Sequence, residues 1–294
     1  MLDTSGAPVV RSPAVIALNS NLGALEYWPM RPGTHDLPIR ISKKGLFNGN
    51  GLVANSRVVS FANQNPAEVI QFDVDTKTIT TLPDSYGLPV DIAIGKDNSL
   101  YVANLVRSQP SNIVWYPGGA PDPKVLTCSA LSYGTNVAVD NEGNLYVGGY
   151  IGQSNIAGIT KIPNGPNGPD PTRCKNFDLG LGMAGMEGVV VDPKTDDLVT
   201  LTNPGGCAGG VEGRMTIFPK PYRRETGIRH VVGRNCSFGM RLSADSKTVF
   251  ILDETVDEGT SYVLQRSFPD GVPEGSYHGG QPTSITTIPN TLPN

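Results

Sequence analysis

Short alternating or wholly apolar runs recur along the chain with turns between them, at a period of about 40 to 50 residues, the range in which propeller blades fall. In the clearest unit, Pro89 to Ile94 predicts a buried strand and Lys96-Asp97-Asn98 a turn. Ser99 to Asn104 predicts a second strand, Asn112 to Tyr116 a third and Lys124 to Thr127 a fourth. Four such strands make one blade. The first strand returns at Gly134 to Asp140, Glu187 to Asp192 and Met240 to Asp245, each followed by its second and third strands, and an upstream copy begins at Asn50-Gly51-Leu52-Val53. A further blade is split between the termini. Val15 to Asn19, Ala24 to Trp28 and Pro38 to Ile41 match second, third and fourth strands, but only residues 283–288 remain to supply the first.

The pattern therefore predicts an all-β, six-bladed propeller with four antiparallel strands per blade, formed by residues 1–294 as a single domain. The C-terminal strand joins the N-terminal blade and closes the ring, so neither open edge is left as a hydrogen-bonding template. Third strands end on Trp28-Pro29, Tyr116-Pro117, Ile162-Pro163, Phe218-Pro219 and Phe268-Pro269, where a residue without a backbone donor suits a strand end. The second blade has Asp73-Val74-Asp75 instead, which reads as a polar hairpin tip, with a cation-binding pair as the alternative.

Composition narrows the function. Gly and Pro, 35 and 25 of 294 residues, exclude a helical bundle or coiled coil. With 23 basic against 27 acidic residues, a net charge of -4 and no basic run longer than a pair, the chain lacks the positive face that nucleic acid requires. No transmembrane segment is expected, since no run approaches the roughly 18 apolar residues of a spanning helix. Met1 to Pro13 lacks the basic and apolar regions of a signal peptide, so the chain reads as cytosolic or as a mature form.

Cys128, Cys174, Cys207 and Cys236 have no zinc-type spacing. Cys207 follows a second strand and Cys236 precedes the next first strand, loops that share one face of a propeller, so a Cys207-Cys236 disulfide is geometrically allowed. Cys128 and Cys174 fall near outer strands of successive blades, a separation that looks too large for a bridge unless the segment 178–186 rearranges. Four free thiols are the alternative. The even count, low charge and abundant Asn, Thr, Gly and Pro favour a secreted or periplasmic location.

Over nearly its whole length the chain resembles six-bladed propellers of the NHL-repeat kind, with Leu88 to Asn104 and Tyr133 to Gly149 carrying the match. That superfamily includes binding scaffolds, lactonases and lyases, so the resemblance implies architecture rather than activity. A narrower likeness is to the gluconolactonase (senescence marker protein) family. Glu187 in Glu-Gly-Val-Val-Val-Asp-Pro looks like that family's Glu-x-Pro-Val-Trp, and Asn50-Gly51-Leu52 looks like its Asn-Gly-Leu. The resemblance implies Glu187 and Asn50 as ligands of Ca²⁺, Mg²⁺ or Mn²⁺. The expected third ligand is displaced by one residue to Asp91, which strict alternation turns to the other face of its strand. Streptogramin lyases, similar in architecture, use a histidine at the channel mouth together with a metal.

Channel-mouth candidates follow from comparing blades. Alignment on Val137 puts Asn50, Val90, Thr135, Glu187, Met240 and Thr283 in one ring, and Gly51, Asp91, Asn136, Gly188, Arg241 and Ser284 in the next. The ends of second strands add Asn19, Asn63, Asn104, Asn203, Asp253 and Glu254. Asn136, Arg241, Asn104 and Asp253 are candidate ligand-binding residues. His278, in the segment before the closing strand, is expected near the mouth and with Asp91 is a candidate acid or base. His230 falls in an outer strand and His35 in a hairpin loop.

Two functions remain open. One is an extracytoplasmic, monomeric binding or scaffold propeller that recognises a small molecule or protein on its loop-lined face. The other is a metal-dependent lactonase or lyase using Glu187 and Asn50 with Asp91 or His278. In the plainest alternative the polar groups solvate a water-filled channel, with Arg241 pairing across it to Glu187 or Asp91.

Overall fold

A computed structural model of the protein describes residues 14–19, 23–29, 39–42, 49–55, 57–106, 110–151, 156–204, 212–233, 236–255, 260–278 and 282–288. Six four-stranded antiparallel sheets form a six-bladed β-propeller. Blade 1 orders Ser284–Ile288, Ala14–Asn19, Ala24–Pro29 and Ile39–Ser42 from first to fourth strand; blade 2 orders Gly49–Ala54, Val58–Gln64, Ala67–Asp73 and Ile79–Pro83. Blade 3 has Leu88–Ile94, Leu100–Leu105, Asn112–Tyr116 and Lys124–Thr127, and blade 4 has Leu131–Val139, Leu145–Ile151, Ile156–Ile162 and Lys175–Phe177. Blade 5 has Ala184–Val191, Leu198–Pro204, Arg214–Phe218 and Ile228–Val231; blade 6 has Cys236–Leu242, Thr248–Thr255, Thr260–Ser267 and Pro273–His278. The expected closure is present: Ile285 pairs with Ala17 and Thr287 with Val15, joining the C-terminal strand to the N-terminal blade. Among the described residues no helix is long and apolar enough to cross a membrane.

The continuous apolar runs have a simple cause. In a propeller each sheet is sandwiched between two others, so both faces of a strand are buried and alternate residues serve opposite neighbours. In Leu100-Tyr101-Val102-Ala103, Leu100 and Val102 pack with Ala62 and Val69 of blade 2. Tyr101 and Ala103 pack with Val137 and Leu145 of blade 4. The core is accordingly split into separate clusters, one between each pair of successive blades, and the last joins Val15 and Trp28 of blade 1 to Phe250 and Tyr277 of blade 6. Fully burying one such aliphatic or aromatic side chain contributes about 1.5–3 kcal/mol. Closure of the ring therefore decides whether the final cluster forms.

Three local results bear on the sequence reading. Cys128 and Cys174 form a disulfide with a Cα–Cα distance of 6.1 Å, correcting the expectation that they lie too far apart. Strand twist accumulates across a blade, roughly 20–25° per strand. The end of one outer strand is thereby brought round toward the start of the next, and Cys128 follows Lys124–Thr127 as Cys174 precedes Lys175–Phe177. Cys236 is disulfide-bonded, whereas Cys207, the partner expected for it, lies outside the described residues, as does His35.

Asn164-Gly165 and Gly168-Pro169 form a small hairpin of their own. Gly168, at φ +102°, sits so close to Trp115 that a Cβ would come within 2.0 Å of the indole ring, so contact with the neighbouring blade shapes the hairpin. Asp73 is the polar hairpin tip expected: it accepts hydrogen bonds from the backbone N–H groups of Asp75 and Thr76 and from Arg57 Nε.

Candidate functional site

The start of the first strand carries a repeated irregularity. Two residues oppose one on the second strand at Asn50-Gly51, Val90-Asp91, Thr135-Asn136, Met186-Glu187 and Phe238-Gly239. These are β-bulges, which break the two-residue alternation and re-aim side chains. Below them the register is regular, with Leu52, Ile92, Val137, Val189 and Met240 opposite Phe61, Val102, Val147, Thr200 and Ile251. Glu187 is the extra residue of its bulge, level with Val90 and Thr135 as the sequence alignment placed it, whereas Arg241 lies two residues deeper than expected. The expectation that Asp91 turns to the far face of its strand is also corrected. Past a bulge, strict alternation no longer decides which way a side chain points.

These bulges open onto a cavity of about 650 Å³ lined by residues of every blade, including Asn50, Asp91, Asn136, Glu187 and Arg241. Its floor is an ion pair. Arg241 Nη2 donates to Asp91 Oδ1 at 2.9 Å, and Asp91 Oδ2 accepts the backbone N–H of Val137 at 2.9 Å. The remaining guanidinium groups donate to backbone carbonyls, Nε to Leu52, Nη1 to Met240 and Nη2 also to Ile92. Blades 2, 3, 4 and 6 are thus tied across the axis, and Arg241 also lines a second cavity of about 410 Å³. Gly51, at φ +64°, makes room for this arrangement, since a Cβ there would lie 2.5 Å from Asp91 Cα.

Asn136 and Glu187 meet on the adjacent wall. Asn136 Nδ2 donates to the backbone carbonyl of Glu187 at 3.4 Å, and Thr135 Oγ1 donates to Asn136 Oδ1 at 3.0 Å. Burial raises the pKa of Glu187 above the ordinary carboxylate value, with a hydrogen bond from the Asn203 side chain acting in the opposite direction. Asn203 in turn donates to the Ser237 carbonyl at 2.6 Å, linking blade 5 to blade 6.

Other sequence candidates lie elsewhere. Asn104 is fully buried, and its Nδ2 donates to both oxygens of Asp84, at 3.0 and 3.1 Å. Asp253 is fully buried and accepts from Ser237 Oγ at 2.8 Å. Asn19, Asn63 and Asn203 are equally buried, so the amide or carboxylate ending a second strand anchors neighbouring backbone and side chains instead of facing a ligand. His278 ends the outermost strand of blade 6, opposite Tyr262, and its Nε2 hydrogen-bonds Ser276 Oγ. It does not line the cavity of about 650 Å³: the chain continues as an outer strand where the sequence suggested a mouth loop.

Glu187 and Asn50 do share the cavity, but the donor set does not fit a divalent cation. The Asp91 carboxylate that would complete it is engaged by a guanidinium and a backbone N–H. Among the described residues, no three His, Cys, Asp or Glu side chains cluster as ligands.

Sequence reasoning missed an aromatic pair on the rim. Tyr133 and Tyr150 line the cavity with their ring centroids 5.7 Å apart, and Tyr133 is 44% exposed. The signal was available, since both lie at the ends of strands whose central residues already fill the core. Tyr86, Leu88 and Met183, all exposed, stand on the neighbouring segments that lead into the first strands of blades 3 and 5.

A family model described as a beta-propeller repeat, SBBP, matches residues 129–157, the first two strands of blade 4. No curated protein matches the chain in sequence. Among solved structures, a chain of a nidogen/laminin complex has 15% identity and a TM-score of 0.69, over 94% of this chain and 97% of that one. TolB from Acinetobacter baumannii has 11% identity and a TM-score of 0.68, over 97% of this chain and 69% of its own. A putative TolB from Agrobacterium tumefaciens has 10% identity and a TM-score of 0.61, over 95% and 99%. At these identities the likeness is one of fold, and it agrees with the geometry: the chain is a six-bladed β-propeller with a β-propeller repeat in its fourth blade.

Proposed function

We propose that the protein is an extracytoplasmic binding propeller that captures its ligand in the cavity bounded by Tyr133, Asn136, Glu187 and Arg241. The carrying observation is the cavity itself, about 650 Å³, within the roughly 300–1,000 Å³ of small-ligand sites, with polar groups converging on it from several blades. The bulges that aim those groups are repeated in most first strands, so the concavity is built into the ring. The Cys128–Cys174 disulfide supports an oxidising compartment. A chain of similar fold occurs in a nidogen/laminin complex, a protein assembly. The metal-dependent lactonase or lyase reading has less support, because the acid needed beside Glu187 and Asn50 is neutralised by Arg241.

Thermal unfolding in the presence of a panel of small polar molecules and short peptides tests the reading. A ligand held at 100 times its Kd stabilises the folded state by about 2.7 kcal/mol. At least one should raise the melting temperature of the native protein and not that of Tyr133→Ala. A panel without effect, or effects unaltered by Tyr133→Ala, would count against the cavity.

A further inference from the structure

Among the described residues, the charged groups lining the cavity are Asp91, Glu187 and Arg241, two acids and one base, with a net charge of -1. Arg241 and Asp91 neutralise one another, and each guanidinium nitrogen already donates a hydrogen bond. Among the described residues, ion pairs join Arg57 to Asp73 and Asp75, Lys220 to Glu142 and Asp196, and Arg241 to Asp91; none includes Glu187. Its carboxylate accepts from the Asn203 amide, a neutral donor, in a site where burial penalises the anion. A charge held in this way gains most from an opposite charge brought in by a ligand.

The neighbouring blade offers the other half of such a site. Tyr133 and Tyr150 of blade 4 lie on the same cavity, their rings inclined at 37°, and the amide of Asn136 ties their blade to the backbone of Glu187. Aromatic faces attract cations through the ring quadrupole, and an aromatic wall beside a carboxylate recognises ammonium groups on both counts. Phe238, on the blade 6 side, adds apolar surface for the body of the ligand. An anion would face two carboxylates and a guanidinium with its donors engaged, and a neutral polyol would leave Glu187 uncompensated.

We infer that the cavity binds an organic monocation, an alkylammonium on an apolar or aromatic body, between the Tyr133–Tyr150 pair and the Glu187 carboxylate. The inference rests on the cavity being the binding site. The ammonium is carried either by a free amine or by a lysine side chain of a partner, and the chemistry at Glu187 is the same.

Calorimetric titration of the full chain at neutral pH tests it with phenethylammonium, Nα-acetyl-lysine methylamide, the neutral isostere 2-phenylethanol and the anion phenylacetate. At least one cation should bind tenfold or more tightly than the neutral and anionic probes. Glu187→Gln, checked for a melting temperature no lower than that of the native protein, should lose tenfold or more of that affinity, as should Tyr133→Ala, whose ring is 44% exposed, under the same check. Affinity should also fall as the pH is lowered through the carboxylate range and a proton competes for Glu187. Tighter binding of phenethylammonium identifies a free amine, and tighter binding of the lysine derivative a partner's side chain; both support the proposal. Equal affinity of Glu187→Gln, or equal binding of 2-phenylethanol, overturns it. If neutral probes alone bind and Tyr133→Ala abolishes this, the cation fails while the binding cavity stands; if no binding depends on Tyr133 or Glu187, both fail.

Discussion

The two ends of the central channel are lined by the same first strands but differ in chemistry. One end, where those strands begin, carries the bulges and presents Asn50, Asn136, Glu187 and the tyrosine pair. The other, past Arg241, is walled by Ile92, Ile94, Val137, Val139, Val189 and Val191. Regular alternation there packs aliphatic side chains along the wall, with Lys96, Asp140, Asn141 and Asp196 also lining that cavity. Where one extra residue interrupts the alternation, polar groups turn inward and a recognisable site appears. The Asp91–Arg241 pair divides the two ends, so it contributes to the fold and sets the floor of the cavity.

Removing one partner of that pair should have the largest effect. Asp91→Ala leaves the Arg241 guanidinium in the channel without its carboxylate and should cost about 3–5 kcal/mol in denaturant unfolding. Asp91→Leu combined with Arg241→Met should recover most of that loss; a double variant no more stable than the single one would show that the two do not act as a unit. The disulfide on the outer rim gives the next effect. Cys128→Ser should lower stability by about 2–4 kcal/mol in denaturant unfolding.

Asn104→Ala should cost about 1–3 kcal/mol by leaving Asp84 with fewer donors. Burial raises the pKa of Asp84 and the Asn104 hydrogen bond lowers it, so the folded protein favours the protonated acid more strongly once Asn104 is gone. The loss should therefore be greatest above the carboxylate range and shrink as the pH falls and Asp84 takes up a proton. Unfolding measured at pH values on both sides of that range checks the sign.

Glu187→Gln should give the smallest change, a gain. The raised pKa of Glu187 means that its ionised form opposes folding, a penalty present above its folded pKa and relieved as the pH falls through it. The variant should be slightly more stable than the native protein near neutral pH, with the difference closing in acid. No difference in acid or at neutrality would mean that the carboxylate is fully solvated.

The fold was legible because blade strands repeat their apolar pattern and because residues 283–288 had no other place to pair. The channel level of Arg241 was not, since a bulge inserts a residue without changing the apolar pattern on either side. Asn104 and Asp253 were misplaced for a different reason. An amide at the end of a strand looks the same in sequence whether it faces a ligand or anchors a neighbouring loop, and only burial distinguishes the two. The Cys128–Cys174 bridge depends on twist accumulated over four strands, a property of the assembled blade. Tyr133 and Tyr150 were passed over because aromatic residues in strands usually belong to the core.

The central claim, that the bulged end of the channel is the binding site, is tested most directly by electron density from crystals soaked with the cationic and neutral probes. Density seated against Tyr133 and Glu187, above the Asp91–Arg241 pair, is the predicted result. Density found only at the aliphatic end of the channel, or only on the outer strands around His278, would contradict it.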